Sequence, residues 1–218
     1  MRIGIRQLAV AALLASGTIV CAHSPAQDAG DAHWLLEYRG VKANGTDSSN
    51  RLKWDKRFVP FVNHYLPMPQ TFWSKGDSLG AVASDFLGIP GEIHIEGDQF
   101  YEADGCGAHA CFEKGMVWVD LTASPPTVVF AATDLRKGAN AHGYTLWLFA
   151  SRTLNPDQLP GELRFSIERW TAKPYGGSTR AADIETIRQA VIVGPDGNNQ
   201  TVEPASVGVA EAAQEKPE

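Results

Sequence analysis

The stretch Cys106-Gly107-Ala108-His109-Ala110-Cys111 places two thiols and an imidazole within six residues. That grouping supports three chemistries. In an oxidising compartment the cysteines close a small ring at the end of a hairpin and present His109. Kept reduced, Cys106, His109 and Cys111 could join a fourth ligand such as Asp104 around a metal, though six residues make a cramped cage that oxidation would destroy. A redox dithiol is disfavoured, because the spacing is not Cys-x-x-Cys. A disulfide-closed ring of this size contributes roughly 2 kcal/mol, so it would shape the loop more than hold the fold. Two readings of the closed loop remain open: a structural clip with no partner, or a loop that recognises something. Gly105 and Gly115 flank it and are expected to serve sharp chain reversal.

The N-terminus points to the oxidising compartment. Arg2 and Arg6 precede an apolar run from Leu8 to Val20, and Val20-Cys21-Ala22 supplies a cleavage site, so residues 1–22 read as a signal peptide. The run is shorter than the roughly 20 apolar residues that span a bilayer. Cys21 stands where a lipidated cysteine could stand, but Val20 precedes it in place of Gly, Ala or Ser. Cleavage after Ala22 leaves Cys106 and Cys111 as the remaining cysteines. The chain carries 19 Lys+Arg against 25 Asp+Glu; removing Arg2 and Arg6 makes this 17 against 25, or −8. Such a surface disfavours nucleic acid and anionic membranes and favours a basic partner. A periplasmic or secreted protein without a membrane span is expected.

Residues 23–32 read as a flexible N-terminal segment, 33–193 as one domain and 194–218 as a polar, partly disordered tail. Val41 to Asn50 is expected as a polar loop. Leu52, Trp54, Phe58, Phe61, Val62 and Tyr65 recur at helical spacing, interrupted by Pro60. From Gly91 the pattern alternates. Strands are predicted over Glu92–Glu96, Gln99–Glu102, Met116–Leu121, Thr127–Ala131, Tyr144–Ala150 and Leu163–Trp170, and a closing helix over Thr179–Val191. Successive strands with tight turns predict an α+β fold, an antiparallel sheet with short helices packed on it and the disulfide-closed loop protruding.

The loop resembles that of the periplasmic inhibitor of vertebrate lysozyme (Ivy) family, whose members carry Cys-Lys-Pro-His-Asp-Cys. Upstream, Pro69, Phe72-Trp73 and Lys75-Gly76 look like the family's Pro-x-Trp segment. Phe100-Tyr101 stands where a strand enters the loop, and Met116 to Trp118 with Phe130 to Asp134 look like the strands that follow. The likeness covers about residues 52–135. It implies a protein inhibitor whose loop enters the cleft of a C-type lysozyme or other muramidase, with the histidine bonding the catalytic carboxylates, and it allows a homodimer. Gly107, Ala108 and Ala110 replace the family's Lys, Pro and Asp.

Enzymatic motifs are not found: no Gly-x-Ser-x-Gly elbow, phosphate-binding glycine loop or His-Glu-x-x-His. No catalytic residue, metal or cofactor is therefore assigned. Glu92, Glu96, Glu102 and Asp104 could assemble an acid pair, but a charged outer face accounts for them. His94 is expected to face solvent, and Trp54, Trp73, Trp118, Trp147 and Trp170 to pack in the core. The expected function is inhibition of a lysozyme-type glycosidase through residues 106–111. The alternative is an exported structural or envelope-associated domain that shares the scaffold without inhibiting.

Overall fold

The structure, a computed structural model, describes residues 31–40, 49–70, 73, 76–135, 143–174 and 184–214. The signal-peptide segment, most of the loop expected over Val41–Asn50, Phe72, Lys75 and the first part of the expected closing helix lie outside the described residues.

Seven strands form one sheet in chain order. They are β1 (Ile89–Glu96), β2 (Phe100–Gly107), β3 (Ala110–Asp120), β4 (Thr127–Leu135), β5 (Tyr144–Ala150), β6 (Ile187–Val193) and β7 (Asn199–Val202). All neighbours pair antiparallel except β5 and β6, which run parallel. A parallel pair needs a crossover, and that crossover carries a helix. The fold is α+β, as the strand pattern predicts.

Both sheet faces are covered, which gives three layers. Side chains alternate along a strand, so Val117 and Val119 of β3 enter one core while Met116 and Trp118 enter the other. The first core lies beneath α1 (Ser49–Trp54), α2 (Phe58–Tyr65), α3 (Leu79–Phe86) and a 3-10 turn over His33–Tyr38. The break before α2 falls at Asp55–Arg57, and Pro60 sits in its first turn, where a missing N–H costs nothing. Arg57 bonds both Glu37 and Asp55 and lies over the Trp34 ring at 4.5 Å, pinning the 3-10 turn to the helices. Burial raises the Asp55 carboxyl, but its bonds from Arg57 and Tyr38 outweigh that and hold it at about 2. Trp54 departs from expectation: it is 77 % exposed, with Lys53 over its ring.

The second core lies under α4 (Gly161–Thr171). This helix replaces the strand expected over Leu163–Trp170. Leu163, Ile167 and Trp170 are buried at helical spacing, while Phe165, which the alternating pattern would bury, is 54 % exposed. Likewise, the end of the expected closing helix is β6. The segment from residue 194, expected as a polar, partly disordered tail, is structured through Gln214. It adds β7 and two 3-10 turns, and buries Val207, Val209, Ala210 and Ala213 against α4 and the sheet. Arg164 donates to the Ser206 carbonyl oxygen at 3.0 Å, and the Ala210 N–H donates to Thr171 Oγ1 at 2.9 Å.

Candidate functional site

The loop singled out by its cysteines is the tip of the β2–β3 hairpin. Gly107 pairs with Ala110, leaving Ala108 and His109 as a two-residue turn. Cys106 and Cys111 are disulfide-bonded with Cα atoms 4.8 Å apart. The ladder is irregular here: Cys106 opposes Lys114 while the next residue, Gly107, opposes Ala110. Cys111, Phe112 and Glu113 therefore bulge from β3, and the disulfide ties the near end of that bulge to β2.

His109 occupies the turn position with φ of 65°, a left-handed conformation uncommon for a residue with a side chain. Its ring is exposed and makes no hydrogen bond or ion pair with any described residue. Beside it Ala108 is exposed, and Phe112 is 40 % exposed. The tip thus offers an imidazole, one aromatic edge and small side chains on a covalently closed turn.

Gly105 and Gly115 do not reverse the chain, contrary to expectation. They face each other across the β2–β3 ladder below the tip. A Cβ on Gly115 would come within 2.6 Å of the Phe86 Cβ, and one on Gly105 within 2.7 Å of the Ile89 carbonyl oxygen. Gly88, in the same α3–β1 connection, lies against the tip, where a Cβ would stand 3.0 Å from the Ala108 nitrogen. The glycines let the end of α3 close on the hairpin neck. The tip is consequently braced by a helix as well as by its own bridge.

With the sulfurs bonded to each other, neither is a thiolate ligand. Among the described residues no three His, Cys, Asp or Glu side chains are grouped to hold a metal ion. The Cys106–His109–Cys111 metal reading therefore has no donor set here.

Neither a family model, nor a curated protein, nor a solved structure matches the chain. Its functional reading therefore rests on its own residues.

A second polar group escapes local sequence reading. Glu102 and Asp104 of β2 are not on a charged outer face; both are buried. Lys173, just beyond α4, reaches Asp104 and Glu92 at 2.6 Å each, and the Glu92 N–H donates to Asp104 Oδ1 at 2.7 Å. Burial lowers the Lys173 amine, but Asp104 and Glu92 outweigh it and raise it; Lys173 in turn lowers Glu92. Arg169 of α4 contacts Glu102 Oε2, and burial pushes the Glu102 carboxyl upward. Deeper still, Lys114 donates to the carbonyl oxygens of Trp170 and Lys173, with Glu185 Oε2 3.7 Å away. Burial raises Glu185 to about 7 against the pull of Lys114, and lowers Lys114. His94, expected to face solvent, is partly exposed and contacts Glu92 at 3.1 Å. In sequence, the signal for this cluster was the acidic residues at alternate positions of β2, Glu102 and Asp104. What hides it is α4: Arg169 falls within the strand expected over Leu163–Trp170, and Lys173 lies just beyond it.

Proposed function

We propose that the chain is an exported inhibitor of lysozyme-type glycosidases, and that it inserts the Cys106–Cys111 loop into the target's active-site cleft. The observation that carries this reading is His109, exposed and unbonded at the end of a covalently closed two-residue turn. A glycosidase cleft holds two carboxyl groups flanking a sugar bond. An imidazole N–H donates to one of them, and a protonated ring gains from both. The hairpin excludes sugar by occupying its place.

Two further features favour docking. The bridge and the α3 brace fix the turn before contact, so less ordering entropy is lost on binding. The acidic balance of 25 Asp+Glu against 19 Lys+Arg steers the chain toward a basic enzyme. Gly107, Ala108 and Ala110 leave His109 as the polar side chain of the turn and make the tip narrow. An exported chain also fits the disulfide, which forms outside the reducing cytoplasm, and among the described residues no helix is long and apolar enough to cross a membrane.

The test is peptidoglycan turnover by a C-type lysozyme, titrated with the oxidised protein. Stoichiometric loss of turnover that disappears in His109→Ala supports the proposal. Full turnover at about 10 µM protein with the bridge intact would overturn it for this target class and favour a scaffold without inhibitory activity.

A further inference from the structure

Among the described residues four large apolar side chains are exposed: Trp54, Ile89, Phe112 and Phe165. Two of them, Ile89 and Phe112, stand at the Cys106–Cys111 bridge. Ile89 opens β1 opposite Cys106 in the ladder, one strand spacing of about 4.8 Å away. Phe112 directly follows Cys111 in the bulge of β3. They are 43 % and 40 % exposed, and Ala108 is exposed in the turn between the bonded cysteines. Single apolar side chains in water are ordinary, but a group of them at one protruding end marks a contact surface.

The fold holds this group in place. Gly88 packs on the turn, where a Cβ would stand 3.0 Å from the Ala108 nitrogen, and so sets the next residue, Ile89, at the base of the tip. Phe112 is the middle residue of the bulge, released from ladder pairing while both ends are held. Cys111 is bonded to Cys106 on one side; on the other, Lys114 pairs with Cys106 and donates to carbonyl oxygens of α4 and Lys173. The charge nearby is acidic. Asp85 is exposed and makes no ion pair with any described residue, and its carbonyl oxygen would lie 2.9 Å from the same Gly88 Cβ. The Glu113 carboxylate lies beside Gly107, whereas the next cation, Lys114, is buried. An occupant that fits presents apolar walls inside a basic surround.

We infer that Phe112 and Ile89 are apolar anchors for the target enzyme, packing against the walls of the cleft that His109 enters. This rests on the inhibitor proposal and widens the docking surface beyond residues 106–111 to β1 and the bulge. A cleft built for a small molecule is lined mainly by apolar and aromatic side chains around a few polar groups. His109 meets the carboxyl groups of such a cleft, Phe112 and Ile89 meet its apolar lining, and Asp85 stays at the rim, where charge steers encounter.

Isothermal titration of a C-type lysozyme with the oxidised protein tests it, comparing wild type with Phe112→Ala, Ile89→Thr, His109→Ala and Phe165→Ala. Phe165 is the control: its ring is exposed but lies with Glu96 and Phe100 at the other end of β2, roughly 20 Å from the tip. Threonine keeps the β-branching that suits a strand. Wild-type binding with a Kd of about 1 µM or below is expected. Phe112→Ala and Ile89→Thr should each weaken it about tenfold or more, with a less negative heat-capacity change and an unchanged urea midpoint, while Phe165→Ala binds as wild type does. Unchanged binding by both tip variants, with His109→Ala inactive, would overturn the anchors and leave the inhibitor proposal standing. Weakening of the same size in Phe165→Ala would also overturn them. Loss in the tip variants with full binding by His109→Ala would uphold the anchors and overturn the role of the imidazole. No wild-type binding at about 10 µM would overturn both proposals.

Discussion

Cys106 and Cys111 are bonded on either side of a turn only two residues long, and this bond ties a three-residue bulge of β3 back to β2. The ring is small, so its effect on the unfolded chain is limited to roughly 2 kcal/mol. Its larger effect is on the shape of the tip. The double variant Cys106→Ala/Cys111→Ala is expected to remain folded, with its urea-unfolding free energy reduced by no more than about 2 kcal/mol. Inhibition of lysozyme should fall by about tenfold or more in the same variant. Global unfolding instead would show that the bridge holds the sheet together.

His109 stands at φ 65°, and the left-handed region costs a residue with a Cβ about 1–2 kcal/mol. Glycine removes that cost but adds unfolded-state entropy of about 0.5–1 kcal/mol. His109→Gly should therefore leave stability unchanged or raise it by up to about 1.5 kcal/mol, while removing the imidazole and the inhibition with it. His109→Val, β-branched, should destabilise by about 1 kcal/mol or more. Chemical denaturation beside the turnover assay separates strain from recognition: a glycine variant that is both more stable and inactive places the strained residue in the function.

Glu185 is buried beside Lys114, and its carboxyl is raised to about 7 in the folded protein from an ordinary 4.5. Between those values the folded state holds a proton that the unfolded state has released. Stability from this group is thus complete below about pH 4.5 and declines as pH rises toward 7. A shift of this size corresponds to about 3 kcal/mol. Glu185→Gln removes the titration and leaves Lys114 its two carbonyl acceptors. The variant should show a flatter stability profile between pH 5 and 7.5 than the wild type, measured by denaturation at each pH. Identical slopes would mean that the carboxyl stays charged in the folded state.

The strands β1 to β5 were legible because each has an alternating or a continuous apolar run bounded by turn residues. The loop was legible because its cysteines mark both ends of the turn. The α4 segment misled because Leu163 and Ile167 fit both periods; Trp170 breaks the tie only once its burial is known. The misreading spread, since removing a helix there also removed the parallel crossover and left β6 to be read as helix. α3 carried no strong stripe among its small residues and went unread, although it braces the tip. The contact between Glu102 and Arg169 was not visible at all: Glu102 looks like a surface acid until α4 is laid over it, and sequence spacing says nothing about which helix covers which face.

The C-terminal segment is where composition misled most, and it gives the clearest stability test. Residues 204–214 fall within the stretch from 194 read as a polar tail, yet Val207 and Ala213 are fully buried, and Val209 and Ala210 nearly so. Gly208 takes φ +90°, and a Cβ there would lie 2.8 Å from the Arg164 carbonyl oxygen. The segment is therefore fitted to α4. Burying the two valines alone contributes about 3–6 kcal/mol, a large part of the 5–15 kcal/mol typical of a folded domain. A chain ending at Glu203 is expected to lose cooperative unfolding and near-ultraviolet circular dichroism. Gly208→Ala in the full chain should cost about 1–3 kcal/mol through the forced shift against α4. A truncated chain with an unchanged urea midpoint would mean that α4 and the sheet close the second core without it.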